Sequence, residues 1–146
     1  MERKQNYSRK REAILQTLRS TKSHPTADWV YQQLKPTFPD LSLGTVYRNL
    51  SRFKEDGTIV SVGVVDGQER FDADTSPHSH FICLGCGAVL DVGEGFVDPQ
   101  ADKAVSSLNH VQVLSHQVLF HGYCTACLEK MQTEADDESS AIENAG

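Results

Sequence analysis

Residues 77–86 read PHSHFICLGC, which places two histidines and two cysteines within ten positions, between two halves of different composition. The pair Cys83-x-x-Cys86 has a distant counterpart in Cys124-x-x-Cys127, and these are the four cysteines of the chain. Two such pairs suit one tetrahedral ion, because each short turn presents two thiolates and four sulfurs close a zinc shell. The intervening 37 residues exceed ordinary finger spacing, so we expect a structural zinc that ties distant strands together.

Other chemistries can also use four cysteines. A disulfide framework and unrelated buried thiols are two alternatives, and an all-sulfur iron site is a third, because Cys83-Leu-Gly-Cys86-Gly also resembles a rubredoxin knuckle. The N-terminal stretch MERKQNYSRKRE lacks an apolar signal region, and no run of 18 apolar residues occurs. We therefore expect a cytoplasmic, reducing location without a membrane span.

Charge is distributed unevenly along the 146 residues. Residues 1–56 hold 11 Lys and Arg against 6 Asp and Glu, a net of +5, whereas residues 57–146 hold 3 against 14, a net of −11. A basic head on an acidic body predicts that the head meets an anionic polymer, although an ordinary solvated basic face has the same composition.

The basic head is predicted to contain three helices. Ser8 is the expected N-cap of a helix over residues 8–19, Thr26 is the expected cap of the second helix, and the third helix follows Ser42. The third helix turns apolar residues inward and leaves a polar, cationic outer face, which is typical of the recognition helix of a helix-turn-helix. A small helical bundle with a solvated face is the alternative. The expected DNA contacts are Thr45, Tyr47, Arg48, Ser51 and Arg52, with Arg11 at the first helix.

A β-hairpin should follow the third helix. Residues 58–65 and 68–72 are β-prone, and Asp66-Gly67 between them is a strong hairpin turn. A hairpin directly after a recognition helix is a wing, so residues 1–73 are interpreted as a winged helix-turn-helix domain.

The remaining chain predicts a second, α/β domain, giving an α+β protein overall. Residues 74–77 form a polar hinge, and residues 78–128 contain a strand pair over 80–92, a helix over 98–109 and a strand over 111–123. Residues 129–146 are acidic and poor in apolar side chains, which predicts a disordered tail.

A second metal site is possible at the hinge. On a strand, His78 and His80 point to the same face, while Asp72 ends the wing and Asp91 lies on the strand after the first knuckle. His24 would come from the helical head. Imidazoles with carboxylates suit Fe(II), Mn(II) or Zn(II), whereas the plain alternative is a solvated His-x-His in a linker.

Over nearly all of residues 8–127 the chain resembles the ferric uptake regulator family of bacterial metal-dependent repressors. The motifs that carry the resemblance are HPTADWVYQQL, SLGTVYRNLSRF, RFD at 70–72, HSHFICLGCG and YCTAC. The resemblance implies a winged helix joined by a hinge to a dimerisation domain, and a homodimer that binds a palindromic operator.

Within that family the chain is most similar to the peroxide-sensing branch, whose regulatory site of three histidines and two aspartates falls on His24, Asp72, His78, His80 and Asp91. Iron-sensing members commonly carry glutamate where the two aspartates stand here. A further site in those members uses a histidine and an acid that are replaced here by Pro77 and Ser79, so we do not expect it, although Asp98 and His116 remain. Arg48, in the predicted recognition helix, is more similar to the residue of iron-sensing members at that position than to that of the peroxide-sensing branch.

The resemblance implies a repressor with a structural zinc and a regulatory Fe(II) or Mn(II). It also implies that peroxide reacts at the Fe(II) site, oxidises a ligand histidine and releases DNA. The alternatives are an iron- or zinc-uptake repressor that senses metal occupancy and, from a different class, a metalloenzyme using the His/Asp site.

Overall fold

The computed structural model describes residues 2–93 and 95–144, with side chains from residue 7 to residue 139 except residue 94. The elements in chain order are α1 (Glu2–Arg19), α2 (Ala27–Leu34), α3 (Leu43–Glu55), β1 (Val60–Val65), β2 (Gln68–Asp72), β3 (Ser79–Cys83), β4 (Val89–Gly93), α4 (Ala101–Asn109), β5 (Leu119–Gly122) and α5 (Thr125–Asn144). Within this described part, no helix combines the length and apolar character needed to cross a bilayer.

Helix α2 begins at the predicted cap Thr26, and α3 begins after Ser42, which also caps its helix. The backbone N–H of Trp29 donates to the Thr26 hydroxyl at 3.1 Å, and that of Thr45 donates to the Ser42 hydroxyl at 3.1 Å. These bonds satisfy N–H groups that lack helical acceptors. The three helices pack around one apolar core, which contains Ile14, Leu15, Leu18, Ala27, Val30, Leu41, Val46, Leu50, Phe53, Ile59 and Phe71.

Helix α1 starts before the predicted cap. Because it begins at Glu2, Ser8 lies inside the helix, and the cluster at 9–11 is not at its N-terminus. Two of these cations have partners within the head: Lys10 pairs with Asp40 at 2.8 Å, and the Arg9 guanidinium lies 5.9 Å from the Phe38 ring centre.

The predicted wing is present, and it has a second contact surface. β1 and β2 pair antiparallel through a turn in which Asp66 and Gly67 have φ of 52° and 80°, the left-handed values of a type I′ turn. Val62 and Val65 on β1 are buried against Ile82 and Val89 of the C-terminal sheet. The wing therefore joins the helical head to the rest of the chain.

The C-terminal sheet has the order β4-β3-β5, with β3 antiparallel to β4 and parallel to β5. The central strand β3 contains His80 and ends at Cys83, so it contributes one residue to each of the two clusters of candidate metal ligands. The predicted strand over 111–123 is correct only for Leu119–Gly122, and the predicted helix over 98–109 begins later, at Ala101.

The predicted apolar face of α4 is not buried within the described chain. Val105 is 45% exposed and Leu108 is 80% exposed, and Val111, Leu114 and Phe120 nearby are also exposed. A contiguous segment with this many exposed large apolar side chains is typical of a protein interface.

The prediction of a disordered tail from residue 129 is wrong for the described residues, because α5 continues to Asn144. The sequence after Cys127 contains four Glu and three Ala, with one each of Leu, Lys, Met and Gln, and these residue types favour a helix. The low apolar content has a different consequence: side chains 128–139 are all exposed.

Candidate metal centre

Four cysteines converge on one point at the end of the C-terminal sheet. The Sγ atoms of Cys83 and Cys127 lie 3.6 Å apart, and those of Cys86 and Cys124 lie 3.8 Å apart. In a tetrahedron with Zn–S bonds of about 2.3 Å, sulfurs are about 3.8 Å from one another. A Cβ at Gly85 would lie only 2.8 Å from Cys127 Sγ, so the knuckle needs glycine there. All four thiols are free, which argues against the disulfide alternative, and the cluster has the geometry of a structural zinc site.

The thiols differ in acidity. Backbone N–H groups of Cys124 and Cys86 donate toward Cys83 and lower the pKa of that thiol to about 6. Hydrogen bonding with Cys83 and Cys124 raises the pKa of Cys127 to about 12. One thiolate thus forms readily, while four adjacent thiolates require a cation to compensate their repulsion.

Three imidazoles and two carboxylates converge between the wing and the C-terminal sheet. Asp72 Oδ2 lies 2.8 Å from Nε2 of both His78 and His80. Asp91 Oδ1 lies 2.9 Å from His24 Nε2 and 3.1 Å from His78 Nε2. Ligands about 2.1 Å from one ion and at right angles to each other are about 3 Å apart, so these donors fit a single cation. His24, Asp72, His80 and Asp91 offer ligand atoms that all lie within 4.8 Å of one another, and His78 contacts both carboxylates from the side.

Hydrogen bonds outside the cluster orient two of its members. His78 Nδ1 donates to the Ser76 carbonyl at 2.6 Å, so Nε2 is the ring nitrogen that faces the two carboxylates and could bind a metal ion. The Asp74 N–H donates to Asp72 Oδ1 at 2.9 Å, so Oδ2 faces the imidazoles.

Electrostatics keeps the buried members in forms that bind a cation. Burial lowers the pKa of His24, although Asp72 and Asp91 oppose that effect. Burial disfavours the ionised form of Asp72, but hydrogen bonds from His80, the Asp74 amide and His78 outweigh it and lower the pKa of that carboxyl. A neutral imidazole and an ionised carboxylate are the states that metal binding requires.

The cluster has one open side. The side chains of His24, His78, His80 and Asp72 are 2–7% exposed, whereas the Asp91 side chain is 35% exposed. Asp91 also lines a cleft with Leu18, Arg19, Lys22 and other residues of the helical head. A small polar molecule can therefore approach the cluster from the Asp91 side.

Sequence reasoning missed the contacts that hold His24 in place. His24 is 2% exposed and has φ of 52°, a left-handed value that is uncommon for a residue with a Cβ. The Phe71 N–H donates to the Pro25 carbonyl at 3.1 Å, and the Arg70 side chain donates to the carbonyls of Ser23 and His24. An arginine two residues before a candidate ligand was the available signal, since alternate strand residues share a face.

The predicted DNA contacts lie on the outer face of α3, with one exception. Tyr47, Arg48, Ser51 and Arg52 are exposed and line a shallow cleft. Thr45 is half-buried at the start of the helix, where its hydroxyl accepts from Arg48 Nη2 at 3.1 Å. Arg11 lies beside Arg52 in a neighbouring cleft, so α1 extends the same cationic surface.

Asp98 and His116, which remain from the further metal site of iron-sensing members, bond to other residues and not to each other. His116 Nδ1 lies 2.6 Å from Asp102 Oδ1, whereas Asp98 accepts from the Gln100 N–H in the turn before α4. His116 therefore pairs with an aspartate that the sequence did not predict.

A model of the ferric uptake regulator family matches residues 2–121. The chain belongs to the ferric uptake regulator family. Members of this family are metal-responsive transcription regulators and not enzymes, so family membership excludes the metalloenzyme alternative. The chain is also 40% identical over 123 residues to the peroxide-responsive repressor PerR of Staphylococcus epidermidis, covering 82% of this chain and 79% of the relative.

Solved structures of family members have a similar fold. The Campylobacter jejuni peroxide stress regulator aligns with a TM-score of 0.72 at 24% identity, covering 86% of this chain and 94% of that one. The ferric uptake regulator of Pseudomonas aeruginosa, solved with manganese, aligns with a TM-score of 0.57 at 27% identity, covering 80% and 87%. The two-domain, α+β architecture predicted from sequence is thus confirmed.

Proposed function

We propose that the chain is a cytoplasmic, homodimeric repressor that binds a palindromic operator when Fe(II) or Mn(II) occupies His24, Asp72, His78, His80 and Asp91, and that it responds to peroxide. The observation that carries this proposal is the position of the cluster between two parts of the chain. His24 and Asp72 belong to the winged-helix part, whereas His78, His80 and Asp91 belong to β3, β4 and the hinge beside them.

A cation shared by these residues would fix the winged helix relative to the C-terminal sheet. In a dimer, that arrangement sets the distance between two α3 helices, and half-sites of a palindrome lie about one helical turn apart. Metal affinity and operator affinity are then linked and must change together. The exposed Arg48 and Tyr47 supply base contacts, and the cations of α1 and α3 supply phosphate contacts.

Exposed apolar surface supports the homodimer. Leu108 of α4, Leu114 after it and Phe120 on β5 are exposed in the single chain, as is Phe96, whose ring packs against Phe120 with centroids 5.8 Å apart. A second copy that covers this surface would bury side chains that water otherwise contacts, at about 25 cal/mol per Å² of apolar area.

Two features favour a peroxide response over simple metal sensing. The relative with 40% identity is named a peroxide-responsive repressor, and both carboxylates of the cluster are the short aspartate. When bound here, Fe(II) would supply the redox chemistry with peroxide that Mn(II) and Zn(II) lack. The residues of the chain hold that ion, exclude bulk water on the buried side and leave access beside Asp91. Oxidation of a ligand histidine would remove one metal ligand, so the ion would no longer hold the winged-helix part against the C-terminal sheet.

An iron- or zinc-uptake repressor is the second candidate, favoured by Arg48 on the recognition helix. Such a protein would release DNA when metal is removed but not when peroxide is added.

Metal-dependent operator binding tests the proposal. Operators selected from a random duplex library should bind zinc-containing dimer with Mn(II) and lose affinity when Mn(II) is omitted. His24→Ala should abolish the Mn(II) dependence, whereas His121→Ala, an exposed histidine on β5 outside the cluster, should retain it. Equal operator affinity with and without Mn(II) would contradict the proposed function.

A further inference from the structure

Arg70 lies on β2 and places its guanidinium among three main-chain carbonyls. Nη2 donates to the Ser23 carbonyl at 2.7 Å, Nη1 donates to the Gly87 carbonyl at 3.0 Å, and Nε donates to the His24 carbonyl. The residue is half-buried, and desolvation by this burial lowers the pKa of the guanidinium. A guanidinium that uses all three nitrogens on backbone oxygens fixes those oxygens relative to one another.

Two of the three carbonyls flank a candidate metal ligand. Ser23 and His24 belong to the turn before α2, and His24 is held there in a left-handed conformation with its side chain buried. The turn has little regular structure of its own, so its shape depends on contacts such as those from Arg70 and the Phe71 N–H. Freed from them, a non-glycine residue favours φ below zero, which would redirect the imidazole.

The third carbonyl belongs to the first zinc knuckle. Gly87 directly follows Cys86, and its N–H donates to the Cys83 carbonyl at 2.9 Å. Gly87 has φ of 74°, and a Cβ there would lie 2.7 Å from Asp66 Oδ2, so the knuckle and the wing approach closely at this point. Arg70 thus contacts the backbone of the His24 turn and the backbone of the zinc knuckle through one side chain.

We propose that Arg70 is the positioning residue of the regulatory metal site: by fixing the His24 turn against the zinc knuckle, it holds the His24 imidazole where the other four ligands converge. This inference rests on the proposed function of the five-residue cluster. Arg70 touches no ligand atom of the site, and it acts on metal affinity through His24. Its effect should therefore disappear when the His24 imidazole is absent.

A double-mutant cycle tests this dependence. Mn(II) affinity is measured by titration, with free Mn(II) followed by electron paramagnetic resonance, for the zinc-loaded dimers of wild type, Arg70→Gln, His24→Ala and the double variant. Removing an outer partner of a metal ligand weakens affinity by about 10- to 100-fold, and we expect this loss for Arg70→Gln in the wild-type background. In the His24→Ala background, Arg70→Gln should alter Mn(II) affinity by less than about twofold. This limit is the scatter within which the effects of independent substitutions add.

Glu69→Gln is the matched control on the same strand. It removes the ion pair between Glu69 and Lys54 at 2.8 Å but leaves every Arg70 contact in place, so Mn(II) affinity should match wild type. If Arg70→Gln does not yield a zinc-loaded dimer, Arg70→Lys replaces it in the cycle, because lysine keeps the charge but concentrates its donors on one nitrogen. We expect the same pattern from Arg70→Lys.

The outcomes separate this inference from the function on which it rests. A loss of equal size in both backgrounds, or wild-type Mn(II) affinity in the Arg70 variant, would overturn the positioning role while leaving metal-dependent repression intact. Failure of the wild-type dimer to bind Mn(II) would instead overturn the proposed function, and the role of Arg70 with it.

Discussion

Replacing Cys124 with serine should remove the zinc and with it the order of the C-terminal part. That part packs against the wing through a small core, in which Ile82 and Val89 of the C-terminal sheet are buried with Val62 and Val65 of β1. Four such side chains contribute about 1.5–3 kcal/mol each, or about 10 kcal/mol together. Zinc binding of about 10–16 kcal/mol is therefore a major share of the folding free energy.

The assay compares three proteins purified without chelator. Zinc content by mass spectrometry, dimer content by light scattering and backbone order by ¹H–¹⁵N spectra are measured for wild type, Cys124→Ser and Ala126→Ser. The last variant places an exposed serine between the two downstream ligands without removing either, so it should retain zinc and dimer. In Cys124→Ser we expect zinc-free monomers in which resonances of α1 to α3, with their own core, stay dispersed.

A zinc-free Cys124→Ser protein that remains a folded dimer would refute this reasoning. It would show that the exposed apolar surface around α4 and β5, once paired with a second copy, stabilises the C-terminal part without the metal.

Three further outcomes are expected. Arg48→Ala should weaken operator binding by about 1–3 kcal/mol while leaving random-duplex binding unchanged, as measured by fluorescence anisotropy; an equal loss on both would make Arg48 a phosphate contact. Mn(II) affinity should fall as the pH is lowered from about 8 to about 6. Burial opposes charging of His78, but the Ser76 carbonyl and Asp72 outweigh it and raise the pKa of the imidazole. Protons therefore compete with Mn(II) for this ring increasingly as the pH falls. A flat calorimetric profile would count against His78 as a ligand. Truncation after Lys130 should leave operator affinity unchanged, because side chains 131–139 are exposed, and a lost affinity would assign α5 a role in binding.

Local patterns predicted most of the head and both clusters. Thr26 and Ser42 cap their helices because the same side-chain oxygens that mark a helix start in sequence accept the free N–H groups in the fold. Asp66-Gly67 forms the predicted turn because few other dipeptides adopt two successive left-handed conformations. The four cysteines converge, as do His24, Asp72, His80 and Asp91 of the second cluster. The role of His78 as a fifth ligand stays a prediction.

Features that depend on distant contacts were not predictable in this way. Arg70 reads as a polar strand residue, and its three acceptors are carbonyls, which carry no sequence signature. Residues 111–118 have the apolar content of a strand, but within the described part of the chain they form none. In the tail, low hydrophobicity and many acids predicted disorder, but they carried no information on whether an exposed segment would be helical.

Peroxide sensitivity of operator binding tests the central claim most directly. Operator complexes of Fe(II)-loaded wild type, Mn(II)-loaded wild type and Fe(II)-loaded Asp91→Glu are titrated with peroxide, and the releasing dose is measured by anisotropy. Fe(II)-loaded wild type should release at the lowest dose and show an added oxygen on a peptide containing His24, His78 or His80. The Mn(II) complex should resist, and Asp91→Glu should need more peroxide, because the longer carboxylate can close the exposed side of the cluster. Release of all three at one dose, or of none, would contradict the account and favour a metal-uptake repressor.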